Sequence, residues 1–458
     1  MFVVMALITT FATTPLTLAL YPPWYQKKLE AWKRGEIDWD TGAPLAGSDA
    51  ESTKRSSLVY EKIASKRVSR VLVYLRIDNM PTIFAFVAIL GGKGSESSAV
   101  QVHPSQKVDE TPEENQKRPL QAHGIRLMEL TDRESSVMRV SEVDEYTSLD
   151  PIVNTFRTFG SLHNVSASGE VQVIPESSFS DVLVAKSSDL GSDLLLLPWT
   201  ETGSISETQP VTHDTVDKKL EISTYRSFIS SALLGAQCHV AVLVSKNLGG
   251  RKKARPGITR TISAISMRSI QEPSTAIADR SHHIFLPFFG GLDDRIALRL
   301  VLQMAENPDV TATIVFFAAP DSYYDQITPV ESSSREVDSK SGAAVLQPLP
   351  EERDSVFFAS LSSSVPAGLS SRIVFETVNT ETPVKSALDR AKTELGQNPR
   401  NAGDLIVVGR SAAYTTAFAK ELVPSKNSES VLGVVADAAV SSGMNASVLV
   451  VRAGKRGE

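Results

Sequence analysis

At 458 residues, with 41% apolar and 22% charged side chains, the chain is too long for one ordinary core and has the composition of roughly two or three globular domains. A formal charge of −6 leaves no basic footprint for nucleic acid. The single cysteine, Cys238, excludes a disulfide framework and suits a reducing compartment, and its apolar context marks it as a small core residue.

Residues 1–20 carry no charge, and that length of apolar chain can cross a bilayer. Tyr21, Trp24 and Tyr25 follow as an aromatic belt, then Lys27, Lys28, Lys33 and Arg34 on the side that becomes cytoplasmic. A signal peptide would need a basic leading region, which is absent. The expectation is a membrane helix over residues 1–22, a juxtamembrane helix and linker over 23–66, and a cytosolic chain after about residue 25.

The first clear strand is 70–76, and Pro81 opens an apolar helix over 82–90. Residues 93–119 are polar and charge-rich, the composition of a loose surface insertion. A strand over 124–130 and a helix opened by Asp150-Pro151 follow, then a strand at 171–174, a helix over 179–186 and an inner strand over 193–199. A helix over 225–234 leads to a strand over 239–244. The polar stretch 245–282 contains Arg251-Lys252-Lys253-Ala254-Arg255, read as a solvated loop with contact to anionic lipid as the alternative.

Residues 283–298 condense a strand, a glycine turn and a helix start. Gly290 and Gly291 can take positive φ, and Asp293 is the expected N-cap of a helix beginning near Asp294. Ile296, Ala297, Leu300, Val301 and Met304 share one face of that helix, with Arg295, Arg299, Gln303 and Glu306 opposite. The next strand is 310–317, and the acidic, Ser-rich stretch 321–353 is expected to be disordered. A strand over 373–378, a helix over 383–395 and a short helix over 431–439 complete the list. Strands alternating with helices predict parallel α/β sheets. The halves also repeat: Asp193 to Trp199 is mirrored by Asp404 to Arg410, Val240 to Val244 by Ser447 to Val451, and the strand at Val71 by that at Ile284, at offsets of 211, 207 and 213 residues.

No nucleophile, acid/base or metal motif is present, and His282-His283, adjacent on a strand, point to opposite faces. No catalytic or metal residue is therefore predicted. A nucleotide is the best candidate ligand, because phosphates favour helix starts at strand ends. Gly290-Gly291 and Gly409-Arg410 occupy such ends, and Arg410 could meet a phosphate. Asp293 and Asp294 instead satisfy the helix dipole themselves and repel one, pairing with Arg295 or a distant arginine. Gly290, Gly291, Asp293, Asp294, Arg295, Gly409 and Arg410 are thus the candidate nucleotide or regulatory residues.

Phe288-Phe289-Gly290-Gly291-Leu292-Asp293-Asp294-Arg295, followed by Ala297-Leu298, resembles a signature of the second cation:proton antiporter family, which includes plant exchangers and fungal potassium/proton antiporters. Asp150 to Phe156, Met128 to Arg133, Asp193 to Pro198, Cys238 to Gly250 and Leu432 to Val451 are similar to further stretches of the family's tail, and Thr13 to Leu16 with Tyr21-Pro22 to the end of its last membrane helix. The resemblance implies two tandem universal-stress-protein-like (Rossmann-like) lobes, over 67–245 and 283–458 with an inter-lobe loop at 246–282. They would lie on the cytosolic side of a potassium(sodium):proton antiporter, contributing to cation transport and pH homeostasis as a homodimer at the membrane. It also implies a transport core outside this chain, so no transport residue is carried over. The alternative is a stand-alone tandem module that binds a nucleotide or a partner.

Overall fold

The computed structural model describes Tyr60, Ile63, residues 65–92, 119–130, 147–199, 223–246, Leu248, and residues 280–318, 350–398, 402–410 and 430–455. The expected membrane helix (1–22), the juxtamembrane helix and linker (23–66) up to residue 59, and most of the polar insertions lie outside these residues. Among the described residues no helix is long and apolar enough to cross a membrane.

In the first half, β1 (Arg70–Tyr74), β2 (Leu120–Glu129), β3 (Val165–Ile174), β4 (Leu194–Trp199) and β5 (His239–Val244) alternate with α1 (Met80–Gly91), α2 (Pro151–Leu162), α3 (Phe179–Asp189) and α4 (Ser223–Gly235). The second half repeats the pattern with β6 (His282–Phe288), α5 (Leu292–Ala305), β7 (Val310–Ala318), α6 (Pro350–Ser364), α7 (Ala367–Ser370), β8 (Ile373–Asn379), α8 (Pro383–Glu394), β9 (Leu405–Gly409), α9 (Val434–Ser441) and β10 (Ser447–Arg452). The unbroken apolar runs of β4, β9 and β10 are buried almost throughout, as inner strands covered on both faces must be.

All ten strands form one sheet in the order β3-β2-β1-β4-β5-β10-β9-β6-β7-β8. Read from either edge inward, each half has the same order, so the offsets seen in sequence reappear as topology. Pairing is parallel within each half, as expected. The junction differs from that expectation: β5 and β10 run antiparallel, with Val242 opposite Val450. Either strand alone would leave a hydrophobic edge with unpaired backbone groups, and the pairing hides both edges at once.

The junction is clasped reciprocally. Past β5, the Lys246 and Leu248 N–H groups donate to Ser447 Oγ, in the first residue of β10, at 3.0 and 3.3 Å. Past β10, the Gly454 N–H donates to His239 Nδ1, in the first residue of β5, at 2.9 Å. Lys246 Nζ donates to Val440 O at the end of α9 (2.9 Å), and an Arg452 N–H donates to Ala236 O just past α4 (3.2 Å). Each cation meets the negative end of a helix in the opposite half.

Local capping follows sequence in places. Asp150 caps α2 by accepting from the Ile152 and Val153 N–H groups, both at 2.9 Å, and also pairs with Arg126. Asp193 and Asp404 play matching roles at the starts of β4 and β9: Asp193 accepts from the Ser69 and Arg70 N–H groups, and Asp404 from those of His283 and Gly396. Cys238 is buried in the core, and His282 and His283 diverge, to Gly403 O and Thr311 Oγ1. The helix α6 was not expected; its first turn falls within the stretch expected to be disordered. Its residues are Ser-rich and poor helix formers. Burial overrides that preference, with the Phe358 ring 5.4 to 5.6 Å from those of Phe316, Phe288 and Phe375.

Candidate functional site at the strand ends

The chain leaves β6 through Gly290 and Gly291, at φ of +99° and +88°, values that disfavour any side chain. Gly291, not Asp293, is the N-cap of α5, so that expectation is corrected. The tight turn places both aspartates in the first helical turn, facing inward. Asp294 is 0% exposed and accepts from the Phe289 N–H at 2.7 Å and the Gly409 N–H at 3.0 Å, with a further bond from the Gly290 N–H. Asp293 accepts from the Ala453 N–H at 2.7 Å. Arg295 turns away from both and pairs with Asp354 of α6, its Nε 2.7 Å from Oδ1, while its guanidinium lies 5.2 Å from the Phe357 ring centre. The other Asp354 oxygen accepts from the Gly291 N–H at 2.8 Å. Arg410 donates through Nε to Val431 O at 2.9 Å.

All seven candidate residues therefore meet at one end of the second half. The turn and strand-end N–H groups that would greet a phosphate already donate to carboxylates of the chain itself. Burial pushes the Asp294 carboxyl up to about 8, against the pull of its backbone donors and with the charge of Asp293 adding to the rise. Burial also lowers the pKa of Arg452, which lies within the field of Asp293 and Arg410.

The first half fills its corresponding end differently. Arg76, just past β1, is 1% exposed and donates from Nε to Asp78 Oδ1 at 3.1 Å. Its guanidinium lies 6.0 Å from the Tyr74 ring centre, beside a cluster in which the Trp199 and Tyr225 rings sit 5.6 Å apart. Burial works against its charge, but Tyr74, Tyr225 and Asp78 hold its pKa above the usual value. In the sequence Arg76 reads as the end of a strand over 70–76, whereas β1 stops at Tyr74. Its only signal was a charged residue closing an otherwise apolar run.

At the opposite end of the sheet, α5 receives the segment leading into β1. Gln303 and Glu306, assigned by periodicity to a polar face, contact this segment. Gln303 is 6% exposed; its Oε1 accepts from the Val68 N–H at 3.0 Å and its Nε2 donates to Val68 O at 2.9 Å. Arg67 and Glu306 pair at 3.0 Å. Burial, with Glu306 nearby, pushes Tyr60 up to about 12. Gln303→Leu should cost about 1–3 kcal/mol, because it strips a donor and an acceptor from buried Val68 backbone. Chemical denaturation midpoints, with amide exchange over residues 65–70, would check this.

Residues 122–248 match the family described as the plant cation/H(+) antiporter domain. Cation/H(+) antiporter 17 of Arabidopsis thaliana is 24% identical over 343 residues, covering 72% of this chain and 33% of that protein. Cation/H(+) antiporter 18 of the same plant is 24% identical over 352 residues, covering 74% and 34%. This chain is similar to these cation/H(+) antiporters over about three quarters of its length. It spans about a third of the length of these relatives. Among solved structures, a putative universal stress protein from Pseudomonas aeruginosa covers 84% of this chain and 94% of its own at 10% identity and a TM-score of 0.39. The α/β fold assigned here rests on the strand order.

Proposed function

We propose that the chain is the cytosolic regulatory region of a monovalent cation:proton antiporter, acting on a transport core that lies outside it. The supporting observation is the relation to proteins named cation/H(+) antiporters across most of this chain but only a third of their length. The strand-end geometry agrees, because both ends are filled by the chain's own charges, an arrangement suited to holding parts together rather than to turnover. In this reading residues 1–22 anchor the region at the membrane, potassium or sodium is the cation, and two copies act as a dimer. The test is transport by the full-length protein with and without residues 60–452. The shortened protein should show an altered pH dependence of cation exchange or an altered location. Unchanged exchange at an unchanged location would overturn the proposal.

A further inference from the structure

The two ends of the β5–β10 junction are fastened by different chemistry. At one end the Lys246 and Leu248 N–H groups donate to Ser447 Oγ, a hydroxyl that does not change charge near neutral pH. At the other, the Gly454 N–H donates to His239 Nδ1 at 2.9 Å. A backbone N–H can only donate, so Nδ1 presents its lone pair and the neutral ring keeps its proton on Nε2. The contact is close as well as polar. A Cβ on Gly454 would stand 2.5 Å from the Cys238 carbonyl carbon, so glycine lets this segment lie against the entry to β5. Residues 452–454 alternate between the halves: Arg452 binds Ala236, Ala453 binds Asp293 and Gly454 binds His239. Among these fastenings, His239 is the acceptor that can gain a proton near neutral pH.

His239 is half-buried, and its ring borders a cleft also lined by Lys66 and Arg67, ahead of β1, and by Arg299 and Glu306 of α5. Arg67 pairs with Glu306, and Arg452 stands beside β5 at the end of β10. The Asp193 carboxylate, at the start of β4, is taken by the Ser69 and Arg70 N–H groups. The Cys238 thiol precedes His239 in the chain. Among these described groups cations outnumber carboxylates, which favours the neutral ring. We propose that His239 is an acid-released pin joining the two halves at one end of their junction. Neutral, it holds Gly454. Protonation at Nδ1 removes the acceptor and sets an N–H against an N–H. The segment after β10 then lifts from β5, while the Ser447 end stays fastened. Unfolding frees Nδ1 to take a proton. The pin's contribution to stability is therefore complete above about 6.5, the ordinary histidine value, and is lost as pH falls below it. A consequence for transport rests on the regulatory reading above. The pin itself is tested on this chain alone, so the two can fail separately.

The experiment follows amide exchange of the full chain at about pH 8 and about pH 5, corrected for intrinsic rates. Other histidines titrate over the same range, so the readout is local. On acidification, protection at Gly454 should fall about tenfold more than at Lys246 and Leu248. In His239→Asn, Oδ1 takes the place of Nδ1 as an acceptor that does not titrate, and the differential response should disappear. The same differential response in the variant refutes the pin. Equal loss of protection at both ends of the junction in the unsubstituted chain also refutes it. If the variant does not fold, nitrogen-15 shifts of the His239 ring in the unsubstituted chain decide. A ring unprotonated at Nδ1 at the higher pH, gaining its proton in step with the loss of protection at Gly454, supports the pin. A ring carrying its proton on Nδ1 at the higher pH rules it out.

Discussion

Gly409→Ala is expected to destabilise the chain by about 2–4 kcal/mol, which chemical denaturation would read as a lowered midpoint. A Cβ at this position would stand 2.2 Å from Asp294 Oδ1, 2.9 Å from the Asp294 backbone nitrogen and 3.1 Å from Asp293 Cβ. Relief by side-chain rotation is blocked, because Asp294 is bonded to the Phe289 and Gly290 N–H groups as well as to Gly409 itself. Either the strand end moves off α5 or a buried carboxylate loses its donors, and both are costly. Gly368→Ala is the control. A Cβ there meets nothing within 4 Å, so the change should stay within about 0.5 kcal/mol. A similarly small effect at Gly409 would mean that Asp294 is not held where the structure puts it.

Arg76→Ala should cost about 3–5 kcal/mol, the range for breaking one side of a buried ion pair. The loss has two parts: Asp78 gives up its guanidinium partner, and the aliphatic stem of Arg76 leaves a hole beside Tyr74. Arg76→Met separates the two, because it refills the volume and leaves only the charge missing. If the alanine and methionine variants lose the same amount, the ion pair accounts for the effect. If methionine restores the stability, packing does.

Much of this architecture can be read from residue patterns. Short apolar runs such as Asp193 to Trp199 and Asp404 to Gly409 are legible because strands buried on both faces of a parallel sheet need no alternation. The doubling is legible because it repeats whole elements at nearly constant spacing. Helix starts at Asp150-Pro151 and Pro383 follow from local capping and the fixed φ of proline, both properties of neighbouring residues.

What eluded local reading depended on distant partners. The helix α6 lies in Ser-rich chain of low helical preference, and Phe288, Phe316 and Phe375 supply the contacts that stabilise it. Gln303 fell on the polar face of α5 by periodicity, yet that face meets the backbone of Val68, 235 residues earlier in the chain. Asp293 has the composition of a cap, but Gly291 takes the capping position and frees the carboxylate for Ala453, 160 residues on.

The sequence by itself determined the α/β class, the two copies of one unit, the inner strands and the glycine turn at Gly290-Gly291, because each follows from interactions within a few residues or from repetition. Only the tertiary structure decided that the two copies join antiparallel through β5 and β10, and that their strand ends are filled by Arg76 in one half and by Asp294 in the other. Those outcomes depend on which buried charges and edges face one another once the chain has closed, and the free energy of a buried charge is set by those neighbours and not by its position in the chain.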